Sequence, residues 1–351
     1  MTGRNARRNL RGVWTALLTV LGLFLVACAK NAPQDTLAPV GPVAEQADNL
    51  FRPVFWIAAV VFFLVEGMLV YVMWRFRWRS DADAPKQIHG NTRLEIIWTI
   101  IPAVLLAAIA VPTVIAIFDV AEKPVGANVV HVKVIGHQWW WEYEYLDVEL
   151  PGGGNLKTAN ELVIPTGRWV DLTVTSVDVI HSFWVPKLAG KQDAIPGKDN
   201  FIKLRADQPG VYEGQCAEYC ALSHANMRLR VIAQPTADFD NWVRGQVAPA
   251  PQPADAQIVD RFLNTCFQCH TLRGIGSGGG ATTGPDLTHF ASRSMFAGSM
   301  LETNARNLAA WLDNPSSLKP LADLPAGPTM RDYDLSQSEI DALVAYLMSL
   351  E

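Results

Sequence analysis

The stretch between residues 215 and 227 carries a dense set of soft metal ligands. It holds two thiols, an imidazole and a thioether, at Cys216, Cys220, His224 and Met227. A strand-like pattern upstream ends near His181 and can bring a second imidazole to them. Sulfur and imidazole ligands favour copper or zinc over calcium or magnesium. A single blue-copper ion needs only one thiolate, whereas two bridging thiolates suit a pair of copper ions.

Spacing alone leaves three other interpretations of this stretch open. Cys216 and Cys220 could form a local disulfide, the two cysteines and two histidines could hold zinc, or Met227 could be a core side chain. The spacing therefore indicates a soft-ligand site without choosing its occupant.

The same residues resemble the dinuclear copper A motif of cytochrome c oxidase subunit II. The motif is His181 followed by Cys216-x-Glu218-x-Cys220-x-x-x-His224-x-x-Met227. Residues 136–143 and 193–197 are similar to two other signatures of that family, and the resemblance spans residues 50–245. It implies that both cysteines bridge two copper ions, that both histidines cap them, and that the Met227 thioether and the Glu218 carbonyl complete the shells.

Three further residues take an expected role from this resemblance. Trp139 matches the aromatic residue near the surface through which electrons reach copper A. The Glu218 carboxylate matches the acid that helps to bind a magnesium or manganese ion at the interface with subunit I. Glu95 matches the acid at the mouth of the K proton pathway, although an acid in the first turn of a helix is also favourable by itself.

A second motif, Cys266-Phe267-Gln268-Cys269-His270, is the attachment motif of a c-type haem. The thiols of Cys266 and Cys269 add to the haem vinyl groups, and His270 is held where its imidazole reaches the iron. Residues 284–287 resemble the loop that orients this histidine in class I cytochromes c. We therefore expect an all-α class I cytochrome c domain over residues 257–351.

The sixth iron ligand is predicted to be Met330, which follows two prolines and precedes a helix expected over residues 336–350. Met295 and Met300 are the alternatives, and their pattern is more typical of an apolar helix face. Axial methionine is a common way to raise a haem potential.

The N-terminus is typical of a lipoprotein-type signal peptide over residues 1–27. Arginines precede an apolar run that is too short to span a bilayer, and the run ends at Leu25-Val26-Ala27-Cys28. This ending predicts Cys28 as the lipidated first residue of the mature chain, with an uncleaved signal anchor as the alternative. Residues 28–50 are predicted to be an exported polar leader.

Two apolar runs, residues 54–74 and 96–118, are each long enough to cross a membrane as a helix. The short loop between them is basic and should stay in the cytoplasm. The sequence thus predicts a transmembrane hairpin over residues 51–120 with both ends outside. Glu66 lies inside the first span, where an ionisable group is costly, and no motif assigns it a role.

Alternating apolar residues and Gly/Pro turns after residue 128 indicate a cupredoxin-like β-sandwich or barrel over residues 121–247. A Pro/Ala-rich segment, residues 248–256, is predicted to be an extended, semi-rigid linker. The whole chain is therefore predicted to have a membrane hairpin, a copper domain and a haem domain.

The net charge of −5 argues against a nucleic-acid partner. The resemblance implies subunit II of a terminal oxidase in a bacterial cell membrane, with both redox domains on the periplasmic side. Electrons from an external cytochrome c or another donor would pass through haem c and copper A to haem a of subunit I. Oxygen reduction, with proton pumping, would occur there beside copper B, and a subunit III is also implied.

The alternative function is a membrane-anchored electron carrier or copper-handling protein without a catalytic partner. A simple anchor needs only one span or one lipid, so the predicted hairpin favours the oxidase. Quinol-oxidase subunits are excluded because that branch lacks the copper ligands present here.

Overall fold

The computed structural model describes residues 32–77, 90–253, 256–275, 283–321, 330 and 332–351, together with Thr15, Leu18, Thr19 and Gly22. Cys28, almost all of the predicted signal peptide and most of the loop between the two predicted spans lie outside the described residues.

Two long helices form the membrane part, α1 (Pro42–Arg75) and α2 (Thr92–Ala121). Within the described residues, these two are the helices long and apolar enough to cross a membrane. Most of their side chains are exposed on the isolated chain, as expected for surfaces that face lipid or other subunits. The Asn91 side chain caps α2 by accepting from the N–H groups of Arg93 and Leu94.

Helix α1 begins inside the segment that was predicted to be a polar leader. Pro42 starts the helix, a position that suits proline because its missing N–H needs no partner there. Val43, Ala44 and Asp48 are buried, and the Ala44 N–H donates to the Leu188 carbonyl at 3.3 Å. Helix α1 therefore begins at Pro42, before the hairpin predicted from residue 51, because packing on the outer domain extends it.

The outer end of α2 is also tied to the outer domain. Nζ of Lys203 donates to the carbonyl oxygens of Asp119 at 2.5 Å and Glu122 at 3.0 Å. A cation on the free carbonyls at the C-terminal end of a helix is favourable. The membrane hairpin and the outer domain are thus joined by specific contacts as well as by the chain.

The outer domain is a β-sandwich, and the predicted cupredoxin-like fold class is confirmed. Its strands are β1 (Val130–His137), β2 (Trp140–Glu149), β3 (Asn155–Ala159), β4 (Glu161–Pro165), β5 (Val170–Ser176), β6 (His181–Trp184), β7 (Lys191–Ala194), β8 (Asn200–Leu204), β9 (Gly210–Cys216) and β10 (Arg228–Gln234). Over the described residues they form two five-stranded sheets, in the orders β3-β2-β1-β5-β8 and β4-β10-β9-β6-β7. Alternate side chains point inward, and Trp141, Tyr143 and Phe183 are almost completely buried.

Strand ends bring the predicted metal ligands together. β6 begins at His181 and pairs with β9 so that Phe183 lies opposite Cys216. The loop from β9 to β10 then carries the remaining ligands, with a short 3₁₀ helix over His224–Asn226. Rigid strands on both sides of a loop are good supports for a metal site.

Four helices belong to the C-terminal domain in its described part, and α3 (Thr236–Val247) leads to it from the sandwich. They are α4 (Ala256–Asn264), α5 (Ala305–Asp313), α6 (Pro315–Leu318) and α7 (Gln337–Leu347). Ser336 caps α7 in a capping box with Glu339. The final helix is therefore slightly shorter than predicted, and it packs Leu343 into the domain core.

Met295 and Met300 do not lie on a helix, and that prediction is wrong. Met295 belongs to β11 (Met295–Phe296), which pairs with β12 (Leu301–Glu302), and Met300 lies in the connecting turn. Ala297, Gly298 and Ser299 have φ values of 54°, 77° and 54°. A run of left-handed residues ends any helix and closes a tight hairpin instead.

The predicted linker is packed against the haem domain. Ala250 is buried, and its N–H donates to the Arg273 carbonyl at 2.8 Å. The Tyr346 hydroxyl donates to the Pro251 carbonyl at 2.9 Å. The described residues of this segment, 248–253, are therefore held by the domain that follows them, a contact that composition did not predict.

Candidate metal centre and haem pocket

The predicted copper ligands converge on one small cluster of sulfur and nitrogen atoms. The ligand atoms of His181, Cys216 and Cys220 all lie within 4.8 Å of one another. The two Sγ atoms are 3.8 Å apart, and Cys216 Sγ is 3.9 Å from Nδ1 of His181. Both cysteines are buried and free, so the structure does not contain the local disulfide that spacing had left open.

The other two ligands join the cluster through Cys220. Its Sγ lies 3.6 Å from Nδ1 of His224 and 3.9 Å from Sδ of Met227. The Cys216 thiol donates to the Glu218 carbonyl at 3.2 Å. All the donor atoms named for the copper pair are therefore neighbours in space.

The two thiols affect each other's ionisation. The hydrogen bond between them lowers the pKa of Cys216 and raises the pKa of Cys220, and burial adds to the rise at Cys220. Two thiolates this close need cations beside them, because like charges in a buried site repel strongly. The donor set thus fits a soft, positively charged metal.

Asp178 orients His181. Its Oδ1 accepts a hydrogen bond from His181 Nε2 at 2.8 Å, which leaves Nδ1 facing Cys216. Burial opposes the charge of Asp178, but hydrogen bonds from His181 and from the backbone N–H groups of Gln138 and Val179 outweigh burial and lower its pKa. A carboxylate on the far nitrogen of a ligating histidine is a common support for metal sites.

Gly136 leaves space for the same imidazole. A Cβ at this position would lie 2.7 Å from Cδ2 and 3.1 Å from Cγ of His181. Any larger residue would push the ring out of place. Sequence reasoning missed the roles of Gly136 and Asp178, although Gly136 is part of the family signature and Asp178 is three residues before the histidine.

Trp139 is hydrogen-bonded to the loop that carries the predicted copper ligands. Its indole N–H donates to the Cys220 carbonyl at 2.7 Å, and Gln138 Nε2 donates to the same oxygen at 3.0 Å. Strand β2 begins one residue later, so Trp139 lies in the turn between β1 and β2. The whole residue is only 2% exposed.

An apolar cavity lies beside the predicted haem-attachment motif. Cys266, Cys269 and His270 line it, together with core side chains of α5 and α7 such as Leu308 and Leu343. Nδ1 of His270 lies 2.8 Å from the Pro285 carbonyl, as expected for a proximal histidine whose other nitrogen binds iron. Burial lowers the pKa of His270, which favours the neutral form that ligates a metal.

Gly284 makes room for that imidazole. A Cβ there would lie 2.8 Å from Cε1 and 2.9 Å from Nδ1 of His270. The cavity, the two thiols and the oriented histidine together fit a covalently bound haem.

Two of the three candidate methionines line the cavity. Met330 lies at its wall, where Sδ accepts a hydrogen bond from Nε1 of Trp311 at 2.9 Å. Met295 lines it as well and is buried. Met300 lies in the β11–β12 turn, outside the described lining of this cavity.

The cavity continues to the surface of the copper domain. Its wall includes Trp139, Trp140 and Asn160 of the sandwich. Trp139 therefore touches the cavity while its indole bonds the carbonyl of a ligand cysteine.

The remaining predicted site residues lie apart from this region. Glu95 is in the first turn of α2, and Glu66 is exposed in the middle of α1. The Glu218 side chain is half-buried and accepts from the Tyr219 N–H at 3.2 Å.

Comparison with known proteins matches three family models in succession. The transmembrane domain of cytochrome c oxidase subunit II matches residues 34–115, the periplasmic domain of the same subunit matches residues 147–234, and cytochrome c matches residues 257–351.

Relatives match along nearly the full length. A protein named cytochrome c oxidase subunit 2 from Alkalihalophilus pseudofirmus is 38% identical over 346 residues, covering 95% of this chain and 96% of its own. Its namesake from Bacillus sp. strain PS3 is 36% identical and covers 96% of each chain. Among solved structures, the periplasmic domain of subunit II of cytochrome oxidase from Bradyrhizobium japonicum is 30% identical, covers 36% of this chain and 96% of its own, and has a TM-score of 0.32.

Proposed function

Because the chain belongs to the cytochrome c oxidase subunit II family and ends in a cytochrome c domain, we propose that it relays electrons from an external donor, through its own covalent haem c and a two-copper centre, to subunit I. Membership makes it a two-span, membrane-anchored subunit of a haem–copper oxidase, which is an oxidoreductase complex. The periplasmic domain implies copper A, and the cytochrome c domain implies haem c.

One observation carries the proposal: the cavity beside the haem motif and the copper-ligand loop share Trp139. The tryptophan touches the cavity on one side and donates to the Cys220 carbonyl on the other. An electron leaving a haem in the cavity would have a short, bonded route to a ligand of the copper pair. When bound, the haem and the copper pair would each supply one-electron redox chemistry, so transfer between them would need no proton.

In the copper domain, the two thiols of Cys216 and Cys220 and the imidazoles of His181 and His224 would hold the copper pair. Met227 and the Glu218 carbonyl would be its weak ligands. Bound in this way, the copper pair supplies a one-electron carrier, and such sites transfer electrons fast when their ligands stay in place on reduction. Asp178 and Gly136 help to keep the ligands in place, because they fix the position of the His181 ring.

In the haem domain, Cys266 and Cys269 would attach the group and His270 would ligate its iron, with Met330 as the proposed second iron ligand. It lines the cavity, and its sulfur lies against the indole of Trp311. Met295 is the competing candidate, but it is held in the paired strand β11.

We also propose a location and partner subunits for this chain. Residues 1–27 are a lipoprotein-type signal peptide that leaves Cys28 lipidated, residues 51–120 form the membrane hairpin, and residues 121–247 and 257–351 are periplasmic copper and haem domains. Subunit I receives the electrons at haem a and reduces oxygen beside copper B with proton pumping, and subunit III completes the core.

Two acidic residues are proposed to act together with subunit I. Glu95 lies at the mouth of the K proton pathway, and the Glu218 carboxylate shares a magnesium or manganese ion with subunit I. External cytochrome c is the proposed donor.

The test is to purify the full chain from membranes and record its metals, optical spectrum and electron paramagnetic spectrum. The proposal expects two copper ions with a shared unpaired electron, one covalent haem and a co-purifying multi-span subunit that carries haem a. Zinc in place of copper would overturn the copper assignment. Both prosthetic groups without a multi-span partner would instead favour the membrane-anchored electron carrier.

A further inference from the structure

A buried lysine joins the haem domain to the copper domain. Lys319 follows α6, and its side chain is only 3% exposed. Its Nζ donates to the Trp139 carbonyl of the copper domain at 2.6 Å and to the Ala297 carbonyl of the haem domain at 3.1 Å. One side chain therefore bonds both domains, next to the tryptophan that contacts the copper loop.

A lysine is rarely buried without a specific reason, because removing its charge from water is costly. Burial lowers the pKa of Lys319 to about 7. Ammonium and neutral amine both donate to carbonyl oxygens, so the contact does not depend on which form is present. An apolar residue of similar length would fill the space but leave both carbonyl oxygens without this donor.

The residues around Lys319 pack closely against its side chain. Gly298 has a φ of 77°, and a Cβ there would lie 2.5 Å from Lys319 Nζ and 2.7 Å from the Asn226 carbonyl. The Ser223 hydroxyl, in the copper loop, donates to the carbonyl of Pro320, the next residue along the chain. Lys319 and its neighbours thus fit directly against the ligand loop.

A second anchor of opposite charge lies on the same interface. The Glu161 side chain of the copper domain is buried and accepts from the N–H groups of Ser294 at 3.0 Å and Met295 at 2.9 Å. The Arg228 N–H also donates to the Gly298 carbonyl at 3.0 Å. These contacts hold the haem domain at several points around Trp139.

We propose that Lys319 is a positioning residue for electron transfer, because it fixes the haem domain over Trp139. The copper domain then takes electrons from its own docked haem domain. The surface around Trp139 is closed to a second, diffusing cytochrome. External donors must then deliver their electrons to the haem domain. This inference rests on the proposed function, because it assigns how the two redox domains of that function are held together.

The test compares Lys319→Met with wild type in the full chain within the purified oxidase. Lys319→Arg keeps hydrogen-bond donors, and Arg306→Met removes an exposed charge from the same domain as a matched control. Hydroxyl-radical labelling followed by mass spectrometry reports the exposure of Trp139. Trp141 is completely buried in the sandwich core, so its labelling reports unfolding. Flash reduction of the haem, followed at the copper absorption band, gives the rate of transfer between the domains.

The two hydrogen bonds from Lys319 Nζ together correspond to roughly 10- to 100-fold in an equilibrium constant. Lys319→Met should therefore raise Trp139 labelling by about tenfold or more and lower the rate of transfer in proportion to the docked form that is lost, with Trp141 labelling and both optical spectra unchanged. Lys319→Arg should restore most of both signals. Arg306→Met should stay within about twofold of wild type, as surface substitutions usually do.

Trp139 labelling and transfer that both stay within about twofold of wild type in Lys319→Met would overturn the proposal. If Trp141 labelling also rises, the variant has unfolded, and Gly298→Ala, which crowds the lysine from the other side, is judged by the same two criteria. If the proposed function is wrong, the wild-type chain will show no copper spectrum or no haem spectrum, an outcome that is separate from the labelling result. Trp139 labelling would still decide the docking in that case.

Discussion

The carboxylate of Asp178 offers a sharp test of how the copper ligands are held. Its Oδ1 accepts from His181 Nε2 at 2.8 Å, and its Oδ2 accepts from the Gln138 N–H at 2.6 Å. In Asp178→Asn, the amide oxygen can keep the bond to His181, but the amide nitrogen then faces the N–H of Gln138. Two donors in contact force the side chain to turn, and His181 loses its fixed orientation.

The expected effect follows from the role of that hydrogen bond. Removing the partner of a ligating histidine typically costs about 10- to 100-fold in metal affinity, or ~1.4 to ~2.7 kcal/mol. Asp178 is partly exposed, with 29% of its side-chain surface accessible, so water can replace some of the lost bonding. We therefore expect a loss of about tenfold, at the lower end of that range.

The assay is a copper titration of the metal-free full chain in detergent, in competition with a chelator of known affinity. Asp147→Asn is the matched control, because Asp147 also pairs with a histidine, His131, but at an exposed surface position. The control should bind copper like wild type. Copper affinity in Asp178→Asn within about threefold of the control would refute the argument that Asp178 orients His181 for the metal.

Three further outcomes are expected from the proposed function. Cys220→Ser should abolish the electron paramagnetic signal of the copper pair, because a serine hydroxyl does not replace a bridging thiolate, and a retained pair signal would contradict the bridging role. Met330→Ala should remove the weak sulfur-to-iron band of the oxidised haem and lower its potential, with the haem still attached; loss of the band in Met295→Ala instead would move the ligand to β11. A reporter fused after Gly126 should be active only outside the cytoplasm and one fused after Arg79 only inside, so activity of both on one side would remove the hairpin.

The ligand types of both sites could be predicted from the sequence because they come in short, local spacings. Cys216 and Cys220 are four residues apart, and the haem motif is contiguous. The residues that support them could not be found in this way. The N–H of Gln138 reaches Asp178 across 40 positions of sequence, and no local pattern marks such a pairing before the strands are in register.

Predictions from local sequence patterns were also inaccurate in parts of the fold where tertiary contacts determine the backbone structure. The apolar residues near Met295 fit a helix face, but the left-handed backbone at residues 297–299 makes a hairpin. The polar segment before the first span looked like a leader, but its last residues continue α1 because Val43 and Ala44 pack on the sandwich. The backbone conformation in the first case, and burial against a distant segment in the second, outweighed the local preference.

The arrangement of the two redox domains changes how the connection between them works. A flexible linker only raises the effective concentration of one domain near the other, to the millimolar range for a short chain, and leaves each encounter to diffusion. Here Ala250 and Pro251 are bonded to the haem domain, and the haem domain is bonded to the copper domain by Lys319 across 180 positions of sequence. The linker then no longer determines how often the domains meet. Under the proposed function, transfer in this geometry depends on the path through Trp139, and the buried polar contacts of Lys319 and Glu161 hold the two domains on either side of it.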